Sequence, residues 1–213
     1  MSETVVYVAN LERRPHYEMH RAVDFPHFSL TAPITVTDLL VTVRREKLSL
    51  FNAILFCIIR AANAVPEFRI RFRGETVVRH DIVHPSFTVP IAGDRFAFCQ
   101  ASYHEDWPSF DATCRAAGEA ASRQTTLDNE TEGEDQWIYL SCLPWLDFTA
   151  MTHPLANKDD CIPRIAWSKI VEEDARARVS VNLQAHHAIM DGLHAARFFE
   201  ELQRNLDAFQ SSS

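Results

Sequence analysis

Residues 178–199, RVSVNLQAHHAIMDGLHAARFF, change hydrophobic period partway along, and this limits the fold more than any other stretch. Up to the paired histidines the period is two. Val179, Val181, Leu183, Ala185 and His187 fall on one face, with Ser180, Asn182, Gln184 and His186 on the other. After Asp191-Gly192 it becomes helical, with Leu193, Ala196, Phe199 and Leu202 at core-facing spacing. A buried strand running through a tight turn into a helix is therefore predicted, with Asp191 as the helix N-cap. An imidazole at the end of an apolar strand face, beside a carboxylate, sits where its surroundings can tune a base.

The rest of the chain reads as strands and helices in mixed order. Val5 and Tyr7 alternate as a short edge strand, and Pro15 suits the first turn of a helix reaching His20 or Arg21. Strand patterns recur at 28–30 and 34–37, and residues 38–45 fit either helix or strand. Leu50 to Val65 is apolar on nearly all sides, which predicts an enclosed core helix. RIRFR at 69–73 alternates with Ile70 and Phe72 inward, so Arg69, Arg71 and Arg73 are expected on an exposed strand face. Gly74-Glu75 turns this into a hairpin with 76–80. Two antiparallel strands flank Ala92-Gly93-Asp94, and 109–127 predicts an Ala-rich helix capped by Ser109 or Asp111. Asp128–Asp135 is an acidic loop, Trp137–Leu143 a strand stopped by Pro144, and 164–171 a strand whose hairpin partner is 178–187. Several hairpins interleaved with helices give an α+β fold, a two-layer sandwich with a mixed, largely antiparallel sheet, in a single domain over 1–213.

Composition excludes several functions. With 21 basic and 29 acidic residues the formal charge is −8, which argues against nucleic acid and anionic membrane as partners. The longest apolar run contains Asn52, Arg60 and Asn63 and falls short of the roughly 20 residues a membrane span needs. No basic-then-apolar leader is visible, and the five cysteines are scattered without a CxxC pair, so a reducing cytoplasm is expected. GxGxxG, Walker A and GxSxG sequences are absent. A metal site on His186, His187, Asp191 or His194 is disfavoured because adjacent strand residues point to opposite faces, and no metal is expected. What remains, besides a structural histidine, is a general base acting on a substrate's own hydroxyl or thiol.

HHAIMDG matches the HHxxxDG signature of CoA-dependent acyltransferases. With RRPHYEMHRAVDFPHFSLT near the start, RHDIVHPSFTV in the middle and LSCLPWLDF before the end, the chain from Tyr7 to Leu206 resembles the trimeric chloramphenicol acetyltransferase family. That resemblance implies an antibiotic-resistance enzyme that moves acetyl from acetyl-CoA to a hydroxyl of chloramphenicol, as a homotrimer with no bound cofactor. It implies His187 as general base and Ser141 as oxyanion donor, with Asp191 ion-paired to Arg13 as a clamp on the active-site loop. It further implies an acceptor pocket lined by Met19, His20, Phe28, Phe87, Phe96 and Phe98, and a CoA channel passing Trp145 and Lys169. Each site would combine His187 of one subunit with Ser141 and most of the pocket of its neighbour. The chain departs from the family at His20 (usually tyrosine), around Asp24–Pro26 (usually small or apolar), at Ala166 (usually threonine) and at Ile170, near the adenine. Acyl transfer to another alcohol or a dihydrolipoyl thiol is one rival reading; non-catalytic binding of drug or CoA is the other.

Overall fold

A computed structural model describes residues 3–74, 76–125 and 134–211. Most of the acidic stretch 128–135, the end of the Ala-rich segment and Glu75 of the hairpin turn lie outside the described residues. In order, the chain forms β1 (Glu3–Tyr7), α1 (Arg14–Arg21), β2 (His27–Thr35), α2 (Thr37–Glu46), α3 (Leu50–Ala64), β3 (Ile70–Arg73) and β4 (Thr76–His80). It continues with β5 (His84–Ile91), β6 (Arg95–Gln100), α4 (Trp107–Ala121), β7 (Trp137–Leu143), β8 (Arg164–Ser168), β9 (Val171–Glu173), β10 (Arg176–His186) and α5 (Gly192–Asp207).

The main sheet runs β2-β10-β8-β7-β5-β6, with β9 pairing the start of β10. It is antiparallel except where β7 pairs with β5 and with β8. Its two faces differ because the strands alternate. One carries Phe87, Leu140, Ile165, Leu183 and the other apolar side chains, and packs under the helices as the main core. The other is polar: Ser141, Ala166, Asn182 and Thr31 form one row across it, and Ser86, Tyr139, Arg164, Gln184 and Ser29 the next. Residues 144–163 pass over this polar face. Asn182 Nδ2 lies 3.2 Å from the Met151 carbonyl, and Gln184 accepts from the His153 N–H at 2.6 Å. The strap is closed by Arg164 and Asp160, an ion pair at 2.5 Å with both side chains at most a tenth exposed.

Apart from that sheet, β1, β4 and β3 make a small one of their own. Val77, Tyr17 of α1 and Ala188, just past the paired histidines, form a satellite core against it. Ile70 and Phe72 pack inward as expected, but Arg71 is fully buried, not on an exposed face. Its guanidinium donates to the carbonyls of Phe68, Ile70, Asp135 and Trp137 at 2.6–2.9 Å, tying β3 to the entry of β7. Inside a protein a guanidinium is retained only when its donors are all used, and here backbone supplies the acceptors.

Local signals account for the other differences. Residues 37–46 are helix. α4 starts two residues before Ser109, because Asp106 accepts from the Ser109 N–H at 2.9 Å and is the cap. In α5 the buried face is His194, Ala195, Phe198, Leu202 and Leu206, whereas Leu193 is 58% exposed. The turn before the helix sets that phase, and a one-residue shift turns the apolar stripe by about 100°. Among the described residues no helix is long and apolar enough to cross a membrane, and no group of three or more His, Cys, Asp or Glu is placed to hold a metal ion.

Candidate active site

Strand β10 stops at His186, so His187 begins the turn rather than ending the strand. Its backbone N–H donates to the Pro26 carbonyl at 2.8 Å, which joins the turn to the segment leading into β2. The half-buried ring lies flat against His20, with centroids 4.0 Å apart and planes 5° from parallel, and meets the edge of Phe28 at 5.1 Å. Nδ1 is buried without a hydrogen-bond partner, and no other described residue bonds the ring. Burial, then the charges of His187, His16 and Arg13, push His20 below its ordinary value, so the ring stacked on His187 is neutral at pH 7.

His186 has a different task. It is 2% exposed, accepts from the Ala188 N–H on Nδ1 at 3.1 Å, and faces the Lys158 carbonyl with Nε2 at 3.0 Å. Those partners assign the proton to Nε2 and make the ring a neutral staple between the strap and the turn. Burial, followed by the positive field of His27, lowers it to about 4. His153, half-buried and likewise neutral, is held at about 4, chiefly by burial. Both values lie below the 6.5 of an unfolded histidine, so between pH 6.5 and 4 the unfolded chain binds more protons. Stability should therefore fall as pH drops through that window, by on the order of 1–3 kcal/mol per ring. A urea midpoint measured at pH 7 and pH 5 checks this; an unchanged midpoint would contradict it.

Behind the turn, Asp191 does two jobs. One oxygen accepts from the Leu193 N–H at 3.0 Å as the cap of α5, while the other takes Arg13 at 2.6 Å. His194 completes the cluster. Its Nδ1 accepts from the Asp191 N–H at 3.1 Å, closing a capping box, and Arg13 lies 3.1 Å away. Burial works to raise the Asp191 carboxyl, but the Leu193 N–H, the neighbouring His194 ring and the Arg13 guanidinium prevail and hold it below its usual range. α1 and α5 are thereby locked together on either side of the His187 turn. His194 was not singled out for this from sequence, although Asp-x-x-His at a helix start is a readable capping pattern.

Ser141 lies elsewhere on the chain. It belongs to β7, is half-buried, and its hydroxyl has no partner among the described residues. It borders a cavity of about 370 Å³ with Phe96, Phe98, Thr88, Tyr139 and His153. Phe87 also reaches this cavity, but it is 3% exposed and packs on Phe51 in the core. Met19, His20 and Phe28 are not among the cavity's lining residues; they accompany His187. A neighbouring cavity of about 490 Å³, on the core side of β7, is lined by Cys142, Pro144, Trp167, Lys169 and Ile170. Lys169 is exposed, and its N–H donates to the Leu146 carbonyl at 2.9 Å, so it adjoins the turn carrying Trp145, itself 75% exposed.

This arrangement has relatives. A chloramphenicol acetyltransferase of known structure superimposes with a TM-score of 0.87 at 23% identity, covering 96% of this chain and all of that one. The cubic core of a pyruvate dehydrogenase multienzyme complex gives 0.68 at 18% identity over 90% and 86% of the two chains. In sequence, a chloramphenicol acetyltransferase from Escherichia coli is 27% identical over 99% of this chain and 96% of its own length. One from Bacillus pumilus is 25% identical over 91% and 89%. The family model for chloramphenicol acetyltransferase matches residues 1–203, so the chain belongs to the chloramphenicol acetyltransferase family.

Proposed function

We propose that this chain transfers the acetyl group of acetyl-CoA to a hydroxyl of chloramphenicol, conferring resistance, with one acetyltransferase domain per subunit of a cytoplasmic homotrimer. The observation that carries the reading is the condition of His187: an imidazole stacked on one side, clamped from behind, with Nδ1 sealed off and Nε2 uncommitted. In this reaction Nε2 takes the proton of the acceptor hydroxyl as its oxygen attacks the thioester carbonyl. The new C–O bond leaves an oxyanion, to which the Ser141 hydroxyl donates a hydrogen bond. Collapse breaks the C–S bond, and the departing thiolate recovers the proton from the imidazolium. No covalent enzyme intermediate is required.

Two separated half-sites support the trimer. His187 keeps company with His20 and Phe28, Ser141 with Phe96 and Phe98, and both halves border exposed apolar side chains: Met19 at 57%, Phe25 at 93% and Phe96 at 47%. A second copy that covered these would bring one copy's Ser141 to the other's His187. Lys169 and Trp145 would meet CoA at the mouth of the neighbouring cavity. The test is thiol release from acetyl-CoA. Release should require chloramphenicol, and release with another alcohol but not with chloramphenicol, or S-acetyl-dihydrolipoamide formed where chloramphenicol is not acetylated, would overturn the acceptor assignment.

A further inference from the structure

Glu67 belongs to the short helical turn Pro66–Arg69 that joins α3 to β3. The next residue, Phe68, is fully buried and stacks on Phe198 of α5 with ring centroids 4.8 Å apart, which sets this turn against the first half of that helix. With Arg13, Ala188 and Ile189, Glu67 also borders a cavity of about 270 Å³ behind the His187 turn. Its Oε2 is buried without a hydrogen-bond partner, a cost that packing alone does not offset. Oε1 lies 3.4 Å from Nε2 of His194, a contact of charge with dipole that is longer than a hydrogen bond.

His194 is 6% exposed, and two arrangements are open to its ring. With the proton on Nε2, Nδ1 accepts from the Asp191 N–H at 3.1 Å and the ring N–H faces the Glu67 carboxylate. With the proton on Nδ1, the ring would donate to Asp191 Oδ1, 2.9 Å away, abandon the Asp191 N–H and turn a lone pair on Glu67. That second arrangement competes for the oxygen that receives the Leu193 N–H at the start of α5. Arg13 Nη1 does not choose between the two, since it lies 3.1 Å from Nδ1 and 3.3 Å from Nε2.

From this geometry we infer that Glu67 is a positioning residue for acetyl transfer, whose carboxylate selects the Nε2–H tautomer of His194. That tautomer keeps the capping box closed and leaves Asp191 free to hold Arg13, so the turn carrying His187 stays in one place. A carboxylate that fixes the tautomer of a working histidine does so by direct contact; Glu67 acts two links back, through His194 and Asp191. The inference rests on reading His187 as the general base.

The test is a double-mutant cycle with E67Q and H194L, read as kcat and KM for the acceptor that the parent enzyme turns over. E67Q should lower kcat by about tenfold and leave KM for both substrates within about twofold of the parent. E67D, which keeps the charge, should lose less. In the H194L background E67Q should change kcat by less than about twofold, because the residue it acts through is gone. A further measurement depends on no variant folding: nitrogen-resolved imidazole NMR spectra of the parent should show His194 with its proton on Nε2 and none on Nδ1. A proton on Nδ1, full kcat in E67Q, equal losses in E67D and E67Q, or losses that multiply in the double variant would each overturn the inference while general-base catalysis stands. If His187→Ala keeps full activity, the general-base reading falls and this one falls with it.

Discussion

His187→Ala is expected to lower kcat/KM for acetyl transfer by about 10²–10⁴, the usual contribution of a positioned general base. The loss should appear in kcat more than in KM, because the imidazole acts on the proton in flight rather than on binding of either substrate. The folded state should survive, since the turn is fixed by the His187 N–H on Pro26, by His186 and by the Arg13–Asp191–His194 cluster. Ser141→Ala should cost about 10²–10³ through loss of a single oxyanion donor. Mixing the two variants provides an internal control. If each site draws its base and its donor from different subunits, mixed trimers regain some intact sites and some activity, whereas each variant alone has none. Full activity of the His187→Ala protein alone would end the general-base reading.

The largest loss of stability is expected at Arg71, far from that chemistry. Arg71→Met keeps much of the volume but removes every donor from the carbonyls of Phe68, Ile70, Asp135 and Trp137. These acceptors are buried or part-buried, and leaving four of them unpaired should cost about 3–5 kcal/mol. In a chain of this size that lowers the melting temperature by roughly 6–20 °C. Arg71→Lys should rescue little, because one ammonium cannot reach acceptors spread around a planar fork. A scanning-calorimetry midpoint for Arg71→Met within about 2 °C of the parent would rule out this account.

Arg71 also marks a limit of what the sequence discloses. Alternation placed Ile70 and Phe72 inward correctly, but it could not show that a second layer covers the opposite face of β3. The enclosed helix α3 was legible from its apolar girth, and the strand-turn-helix around His187 from its change of period. Side-chain parity separated the two histidines into different roles, although His187 proves to lie just beyond the strand. The strap was not legible: residues 144–163 carry no periodicity, because their partners are the polar face of the sheet and not an apolar core. The contact of Asn182 with the strap was illegible for the same reason, although alternation does place it on the polar face of its strand with Ser180 and Gln184. Asp191 is the N-cap that the sequence indicates, but the stripe counted from Leu193 misses the buried face, because His194 turns inward to close the capping box.

Strand β10 lies inside the main sheet, between β2 and β8, yet it is made after both. Its register runs from Arg178 opposite Thr35 to His186 opposite His27, partners drawn from opposite ends of the sequence. During synthesis β2 must wait without β10, its one partner strand among the described residues, and β8 has one flank open, until almost the whole chain has left the ribosome. Closure over such sequence separations is slow, and unpaired strand edges recruit other chains in the meantime. Output in the cell should accordingly depend on temperature and chaperone supply more steeply than the stability of the finished fold would require. A chain cut short before Arg176 would be not a weak enzyme but an aggregating one.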